Sequence, residues 1–185
     1  ERVFVDICKM LKKRNVPFDV LFTRNEGALS DFLDKDIKRF SLNRRYRFSL
    51  ISLFKLLKIL LRYDIIHVHL RHNFFYIKIV LFFFPLKKWK IIFHDHHGDI
   101  EFDQSVSIFF KIFNIKYSYI GVSKTLTNWA MENLKNINKI YTLSNIRLIN
   151  DYKNNLSFSN LKNRSIKKLK IVHVSNIRKT KNIEY

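Results

Sequence analysis

Cysteine, proline, glycine and acidic residues are all scarce in this chain of 185 residues. Cys8 is the only cysteine, so no internal disulfide can form and a disulfide-stabilised secreted domain is excluded. Cys8 lies in an apolar stretch, where we expect a buried and unreactive thiol. The three glycines form neither a Gly-x-Gly-x-x-Gly turn nor a phosphate-binding P-loop, so the usual nucleotide-binding fingerprints are absent.

Long apolar runs are absent as well. The longest, Phe74–Leu86, is interrupted by Lys78 and is shorter than the roughly 18–20 residues that a membrane-spanning helix needs. The first residues, Glu1 and Arg2, do not begin a signal-peptide pattern of basic, apolar and small residues. The sequence therefore predicts a soluble or peripheral membrane protein.

What the chain does have is positive charge. Its 35 lysines and arginines outnumber its 15 acidic residues, which gives a formal net charge of +20. Two blocks, 38–62 and 161–181, hold eight bases each and no acid. Such blocks attract nucleic acid, anionic lipid or a phosphorylated ligand. The alternative is that lysine-rich composition leaves these side chains simply solvated on the surface.

Short apolar strands alternate along the chain with helices. We expect strands at 18–22, 65–70, 90–94, 117–122, 139–143 and 169–174, and helices at 3–11, 48–62, 74–84, 105–114 and 123–134. Because the strands are continuously apolar, both faces of the sheet should be covered. The alternation predicts a doubly wound, Rossmann-like parallel α/β sheet. The polar residues 24–47 predict a loop with one helical turn near 29–33.

Two groups of histidines follow neighbouring predicted strands, where parallel sheets bind ligands. They are His67, His69 and His72 in the first group, and His94, His96 and His97 in the second. Metal binding is one interpretation, since closely spaced imidazoles can ligate zinc; no further acid or histidine cluster downstream completes such a site. We expect His67 to be a hydrogen-bonded core residue, and His69 and His94 to face a cleft. No nucleophile elbow of the Gly-x-Ser-x-Gly type is present.

Six short segments occur in an order that resembles one enzyme family. They are Glu1-Arg2 before an apolar helix, YDIIHVH at 63–69, KIIFH at 90–94, IGVS at 120–123, LSN at 143–145 and IVHVSNIRKTKN at 171–182. Each is similar to a segment of the family 4 glycosyltransferases, which have the GT-B fold of two facing Rossmann-like domains. The turn after Asn145 departs from the family pattern, because Ile146-Arg147-Leu148 stands in place of Gly-Ile-Asp.

The resemblance implies a retaining glycosyltransferase that moves a sugar from a nucleotide-sugar donor to a cell-surface glycan or lipid-linked acceptor. It implies no cofactor and no obligatory metal. His94 matches the family histidine near the reacting sugar, and Arg178 and Lys181 match the basic pair that binds the donor diphosphate. The remaining candidate residues, on the acceptor side of the cleft, are His69, His97 and Ser123. Ser123 is also a plain candidate for the N-cap of the following helix.

The same resemblance predicts the domain organisation. Residues 1–150 correspond to the acceptor-side domain, the N-terminal half of a GT-B fold lacking its first strand. Residues 151–168 are expected to be a linker, and 169–185 the first strand of the donor-binding domain. The Glu-x7-Glu segment of the family would lie beyond Tyr185, so we expect the chain to be an inactive fragment.

Three interpretations remain open at this point. In the glycosyltransferase interpretation, the basic block 38–62 docks on an anionic membrane, with the protein in the cytoplasm on the inner face of the plasma membrane. The second is a basic nucleic-acid-binding module, although no known RNA- or DNA-binding motif is present. The third is a metallohydrolase that uses the two histidine groups. The sequence does not identify the donor sugar, the nucleotide or the acceptor.

Overall fold

A computed structural model describes residues 2–145, except 25, 45, 47, 48, 86, 98, 99, 101 and 102. The chain divides into two units, Glu1–Ile146 and Arg147–Tyr185, and the described residues all belong to the first. The predicted linker at 151–168 and the predicted donor-domain strand at 169–174 therefore lie outside the described residues.

Helices and strands alternate along the first unit. In chain order they are α1 (Arg2–Lys13), β1 (Val20–Phe22), a 3-10 helix (Ala28–Phe32), β2 (Arg39–Ser41), α2 (Leu50–Leu60), β3 (Ile65–His69), α3 (Arg71–Phe83), β4 (Lys90–Asp95), α4 (Ile108–Lys111), β5 (Tyr117–Gly121), α5 (Lys124–Asn133) and β6 (Ile137–Thr142). All the strand pairs are parallel, which confirms the predicted α/β class.

The described strands form two sheets rather than one. Strands β3, β4, β5 and β6 are hydrogen-bonded in that order, and β1 pairs with β2 alone. The register of the larger sheet aligns His69 with His94 and Asp95 with Gly121. Consequently the residues that end β3, β4 and β5 lie along one edge of the sheet, where the loops into the next helices begin.

Each sheet has its own apolar core. The larger core lies between the four-stranded sheet and helices α2, α3 and α5, with Leu56, Phe93, Tyr119 and Leu126 completely buried. The smaller core packs Val5 and Cys8 of α1 against Val20, with Leu33 and Ile37 from the segment between β1 and β2. Burial raises the pKa of the Cys8 thiol to about 12, which confirms the expected unreactive cysteine.

The segment predicted as a loop contains a strand. The 3-10 helix at Ala28–Phe32 confirms the expected helical turn, but β2 pairs with β1 where no strand was predicted. The guanidinium of Arg39, the first residue of β2, donates hydrogen bonds to the carbonyls of Leu33 (2.9 Å) and Asp34 (3.3 Å). A charged residue can therefore begin a half-buried strand without losing its hydrogen bonds.

The helix predicted at 105–114 is also shorter than expected. Only Ile108–Lys111 is α-helical. Before it, the Asp103 carboxylate accepts a hydrogen bond from the Ser105 backbone N–H at 2.9 Å, a local turn that competes with helix. After it, Phe113 adopts a positive φ of 63°, which no residue inside a right-handed helix can have.

The expectation that both faces of every strand are covered is wrong for the two edges of the larger sheet. In β3 the side chains alternate: Ile66 and Val68 are buried, whereas Ile65 and His67 are exposed. None of the six residues of β6 is buried. The two interior strands, β4 and β5, are buried along most of their length. The residue types show that a strand is apolar, whereas its position in the sheet determines how much of it is covered by neighbouring elements.

One glycine sets how closely a helix approaches the sheet. Gly121, the last residue of β5, lies against Thr127 of α5, and a Cβ atom at Gly121 would be 2.8 Å from Thr127 Cγ2. The Thr127 hydroxyl donates to the Lys124 carbonyl at 2.9 Å, which holds this side chain in place. The close contact therefore depends on the absence of a side chain at Gly121.

Among the described residues, no helix has the length and apolar content needed to cross a bilayer.

Candidate functional site

The two histidine groups predicted from the sequence meet at the carboxyl ends of β3 and β4. Because His69 and His94 are register partners, their imidazole rings lie with centroids 5.0 Å apart. His67, two residues earlier on the same face of β3, stacks parallel to His94 at 5.7 Å. One ring nitrogen from each of His67, His69 and His94 lies within 4.8 Å of the other two.

His96, in the loop after β4, completes this group. Its Nε2 atom lies 3.0 Å from Nδ1 of His69, and its ring lies 4.2 Å from that of His94. In a hydrogen bond between two imidazoles, one ring donates and the other accepts, so at least one of the two is neutral. We refer to His67, His69, His94 and His96 as the histidine cluster.

Burial differs sharply within the histidine cluster. His94 is 1% exposed, and neither of its ring nitrogens has a hydrogen-bond partner among the described residues. His67 is exposed, so the prediction of a hydrogen-bonded core residue is wrong: it projects from the uncovered face of β3. The cluster therefore runs from solvent at His67, through half-buried His69, to the interior at His94.

Removal of solvent keeps these rings neutral. Burial, together with the neighbouring imidazoles His96 and His67, lowers the pKa of His94 to about 3. For His69, burial and the three surrounding histidines lower the pKa to about 2. Partial removal of solvent around its ring, together with neighbouring His96, also lowers the pKa of His67. Each ring at neutral pH consequently offers one N–H donor and one lone pair.

The side chain of Asp95, the next residue in β4, points to the opposite face of the sheet from His94. Asp95, also 1% exposed, receives hydrogen bonds from Nε of Arg71 at 2.9 Å, from the Tyr119 hydroxyl at 3.0 Å and from the backbone N–H of His97 at 3.1 Å. Nη2 of Arg71 lies 2.8 Å from the same carboxylate. Burial and the Asp95 charge raise the pKa of Tyr119, so its hydroxyl stays protonated. We call this set the Asp95 network.

Aromatic rings hold the arginine of the Asp95 network. The Arg71 guanidinium lies 5.0 Å from the centroid of Trp129 and 5.4 Å from that of Phe110. The network thus joins the beginning of α3, the end of β4 and helix α5. Arg71 and Asp95 were not predicted from the sequence as site residues. Their positions, shortly after β3 and at the end of β4, could have indicated that they lie at the ligand-binding edge of the sheet.

Of the other predicted site residues, His97 and Ser123 are described by the structure, and both have structural roles. His97 uses its backbone N–H in the Asp95 network. Ser123 is the N-cap of α5, where its hydroxyl accepts a hydrogen bond from the Leu126 N–H at 3.1 Å. Of its two predicted roles, N-cap and acceptor-side residue, the structure shows the N-cap. Arg178 and Lys181 lie outside the described residues.

A cleft of about 1050 Å³ borders the histidine cluster. Residues of both β1 and β3 line it, together with parts of α1 and α3. At one end lie His67, His69, His96 and Asn145, which supply the polar groups. Beside them Asn73 donates to the His69 carbonyl at 3.0 Å and accepts from the Thr23 hydroxyl at 2.8 Å. This end of the cleft offers donors and acceptors of neutral charge, suited to a ligand rich in hydroxyl groups.

One comparison with known proteins bears on this site. The sequence model described as Glycosyltransferase Family 4 matches residues 1–145, almost the whole of the described unit and more than three quarters of the chain. No curated protein matches the chain.

Proposed function

Because the chain belongs to glycosyltransferase family 4, we propose that it is the acceptor-side part of a retaining enzyme that uses a nucleotide-sugar donor. The proposed acceptor is a cell-surface glycan or a lipid-linked sugar. The observation that carries this proposal is the family match over residues 1–145, within which neutral histidines converge at the carboxyl ends of β3 and β4 beside a cleft.

In this proposal His94 contacts the sugar that reacts. Neither ring nitrogen of His94 has a hydrogen-bond partner among the residues that the structure describes. A neutral imidazole in that state can donate one hydrogen bond to a sugar hydroxyl and accept another. Because burial holds the ring uncharged, it orients the sugar without attracting the donor phosphates away from their own site. His69 and His97 are proposed to line the acceptor side of the same cleft.

The donor diphosphate is assigned to Arg178 and Lys181. Transfer of a sugar from a nucleotide diphosphate leaves negative charge on the departing phosphate, and fixed guanidinium and ammonium groups can stabilise that charge. With two such cations in place, the transfer chemistry itself requires no metal and no cofactor. The 185-residue chain alone is expected to carry out no transfer.

Glycan-array binding tests the acceptor assignment. The chain should retain a defined set of glycans, and His69→Ala and His94→Gln should each weaken retention at least tenfold, since His69 lines the cleft and the His94 ring lies directly behind it, with the two ring centroids 5.0 Å apart. Asn128→Ala, at an exposed position of α5 that does not line the cleft, is the control and should bind like the parent. Uniform binding by all the variants, or steeply salt-dependent binding to random nucleic acid in place of glycans, contradicts the proposal. Sugar release from a nucleotide-sugar panel by the chain alone would disprove its inactivity.

The outer face of α2 supports docking on a membrane surface. Leu50, Ile51 and Phe54 are 74%, 71% and 53% exposed, an unusual state for side chains of this size. Lys55 and Lys58 are exposed on the same helix, and Ser52, Leu56, Leu57 and Leu60 face the core. An exposed apolar and basic face of this kind fits the interface of an anionic bilayer, here the inner face of the plasma membrane.

Liposome co-sedimentation tests this surface. The chain should sediment with vesicles containing anionic lipid and much less with neutral ones, and F54S combined with K58E should reduce sedimentation severalfold. K111E reverses an exposed charge in α4 and changes the net charge by the same amount as K58E. It should reduce sedimentation less, because it lies outside the face of α2. Equal sedimentation with neutral and anionic vesicles would exclude the electrostatic part of the proposal.

A further inference from the structure

The histidine cluster has the composition and spacing of a metal site. We propose that His67, His69 and His94 bind one divalent transition-metal ion, of which Zn²⁺ is the representative probe. The proposal concerns binding by these three side chains and does not depend on the transfer reaction. It adds an ion that the transfer chemistry itself does not need.

The distances allow coordination with small side-chain movements. In a tetrahedral zinc site with bonds of 2.0–2.1 Å, neighbouring ligand nitrogens lie about 3.4 Å apart. The three candidate nitrogens already lie within 4.8 Å of one another. Exposed His67 can close that difference by rotating about its side-chain torsions, whereas buried His94 provides a fixed anchor.

The ring nitrogens of His94 are an independent indication of a ligand. Both are buried, and neither has a hydrogen-bond partner among the described residues. Such groups are rare because an unsatisfied buried polar atom destabilises the folded state by about 1–3 kcal/mol. Coordination of an ion to one of these nitrogens removes that penalty at the place where His67 and His69 also present nitrogens.

The surroundings prepare the ligands in the form that a metal requires. An imidazole coordinates a metal ion through a ring nitrogen that carries no proton. When Nδ1 of His69 donates its proton to Nε2 of His96, 3.0 Å away, the lone pair of His69 is placed on Nε2. His96 then acts as the outer-shell partner that fixes the tautomer of a ligating histidine.

The ligand set also selects the kind of ion. The carboxylate of Asp95, the residue after His94, points to the other face of the sheet and is bound by Arg71 and Tyr119, and the three candidate ligands are all nitrogen atoms. Nitrogen ligands favour zinc, copper, nickel and cobalt, whereas magnesium and calcium require oxygen. Three histidines leave a fourth position for water or another small ligand.

Cobalt and zinc titrations test the site on the 185-residue chain after removal of any purification tag. We expect one equivalent of Co²⁺ to produce the visible absorption bands of tetrahedral coordination, and one equivalent of Zn²⁺ to displace it. Mg²⁺ and Ca²⁺ should do neither. His67→Gln and His69→Gln should each weaken zinc binding at least tenfold, and His96→Ala should weaken it about 10–100-fold, as outer-shell losses do.

His72→Gln is the matched control, because His72 is an exposed histidine outside the three ligands. It should leave the stoichiometry and affinity unchanged. Circular dichroism and thermal unfolding with a chelator present establish that each variant is folded before it is titrated. His67→Gln is the most informative variant, since its side chain is exposed and carries no packing role in the core.

Two results would overturn the proposal: octahedral cobalt spectra with no saturable stoichiometry, or zinc affinity in folded His67→Gln and His69→Gln equal to that of the parent chain. If the parent chain binds zinc but no glycan, the proposed acceptor site alone is refuted. If the parent chain binds glycans but no zinc, the metal site alone is refuted.

Discussion

Two neighbouring residues of β4, His94 and Asp95, are buried to the same extent but differ in almost every other respect. Each is 1% exposed. The Asp95 carboxylate is saturated by hydrogen bonds from Arg71, Tyr119 and the His97 backbone. The His94 ring has no hydrogen-bond partner in the part of the chain that the structure describes, and it faces other imidazoles. Because successive side chains of a strand point to opposite faces, one strand end carries a structural network on one side and an unsatisfied cluster on the other.

The difference indicates where stability and binding are located. A saturated buried charge joins secondary-structure elements, and removal of one partner leaves the other charge uncompensated. An unsatisfied buried ring contributes little to folding and is available to a ligand. The predictions below test this separation, beginning with the largest expected effect.

The substitution Asp95→Ala should destabilise the chain by about 3–5 kcal/mol, because it leaves the Arg71 guanidinium without its counter-charge beside Trp129 and Phe110. Urea unfolding monitored by tryptophan fluorescence measures the loss. Asp64→Ala is the matched control: that carboxylate is 84% exposed in its pair with Lys87, and its removal should have a much smaller effect because solvent screens the pair. Similar losses in the two variants would show that the Asp95 network is not structural.

Lowering the pH should destabilise the chain through the histidine cluster before the carboxylates titrate. An unfolded histidine binds a proton near pH 6.5, whereas the pKa of folded His94 is about 3. The stability contributed by neutral His94 is therefore complete above pH 6.5 and decreases as the pH falls toward 3. By pH 5 the loss from His94 alone should be about 2 kcal/mol. Urea unfolding at intervals between pH 7.5 and 5 measures it, and His94→Gln should flatten the profile.

Ser123 allows the same comparison at the end of the next strand. If its role is structural, Ser123→Ala should reduce stability by about 1 kcal/mol because α5 loses its N-cap hydrogen bond. Ser123→Asp, which supplies another capping oxygen, should restore most of it. Thermal unfolding distinguishes the variants. If aspartate destabilises as much as alanine, capping does not explain the residue.

His94→Leu should have the smallest effect on folding. Leucine removes two buried polar atoms that have no hydrogen-bond partner among the described residues, so the free energy of unfolding at pH 7 should be unchanged or higher by about 1 kcal/mol. Asp95→Leu, a comparable change one residue away, should be strongly destabilising. Parallel urea titrations decide the matter; a loss above about 2 kcal/mol in His94→Leu would mean that the ring has a packing role.

The sequence was sufficient to predict the alternation of strands and helices and the meeting of the two histidine groups. Both follow from local patterns: apolar runs separated by polar breaks, and side chains placed just after strands. It was insufficient for β2, whose first residue, Arg39, is charged and depends on carbonyls several residues earlier. The exposure of His67 could not be read from β3 alone, because it depends on what covers that face of the sheet.

The Asp95 network shows the same limit at the site. Arg71 and Asp95 are 24 residues apart, and only the pairing of β3 with β4 brings them together. Tyr119 joins them because β5 is the next strand, and Trp129 because α5 packs beside it. A single sequence gives the residue types but not the strand order, so the partner of each buried charge stays undetermined until the topology is known.

The contact between Gly121 and Thr127 has a consequence for how this domain can change over evolution. A methyl group at Gly121 would have to displace α5, and with it both Trp129 and the cap at Ser123. Trp129 lies against Arg71, so the displacement would reach the ion pair that closes the end of β4. In a chain with so few glycines, this one fixes a distance rather than a turn. The distance between α5 and β5 therefore affects several parts of the site at once. We expect few substitutions of Gly121 to be tolerated, although the residue itself has a structural role.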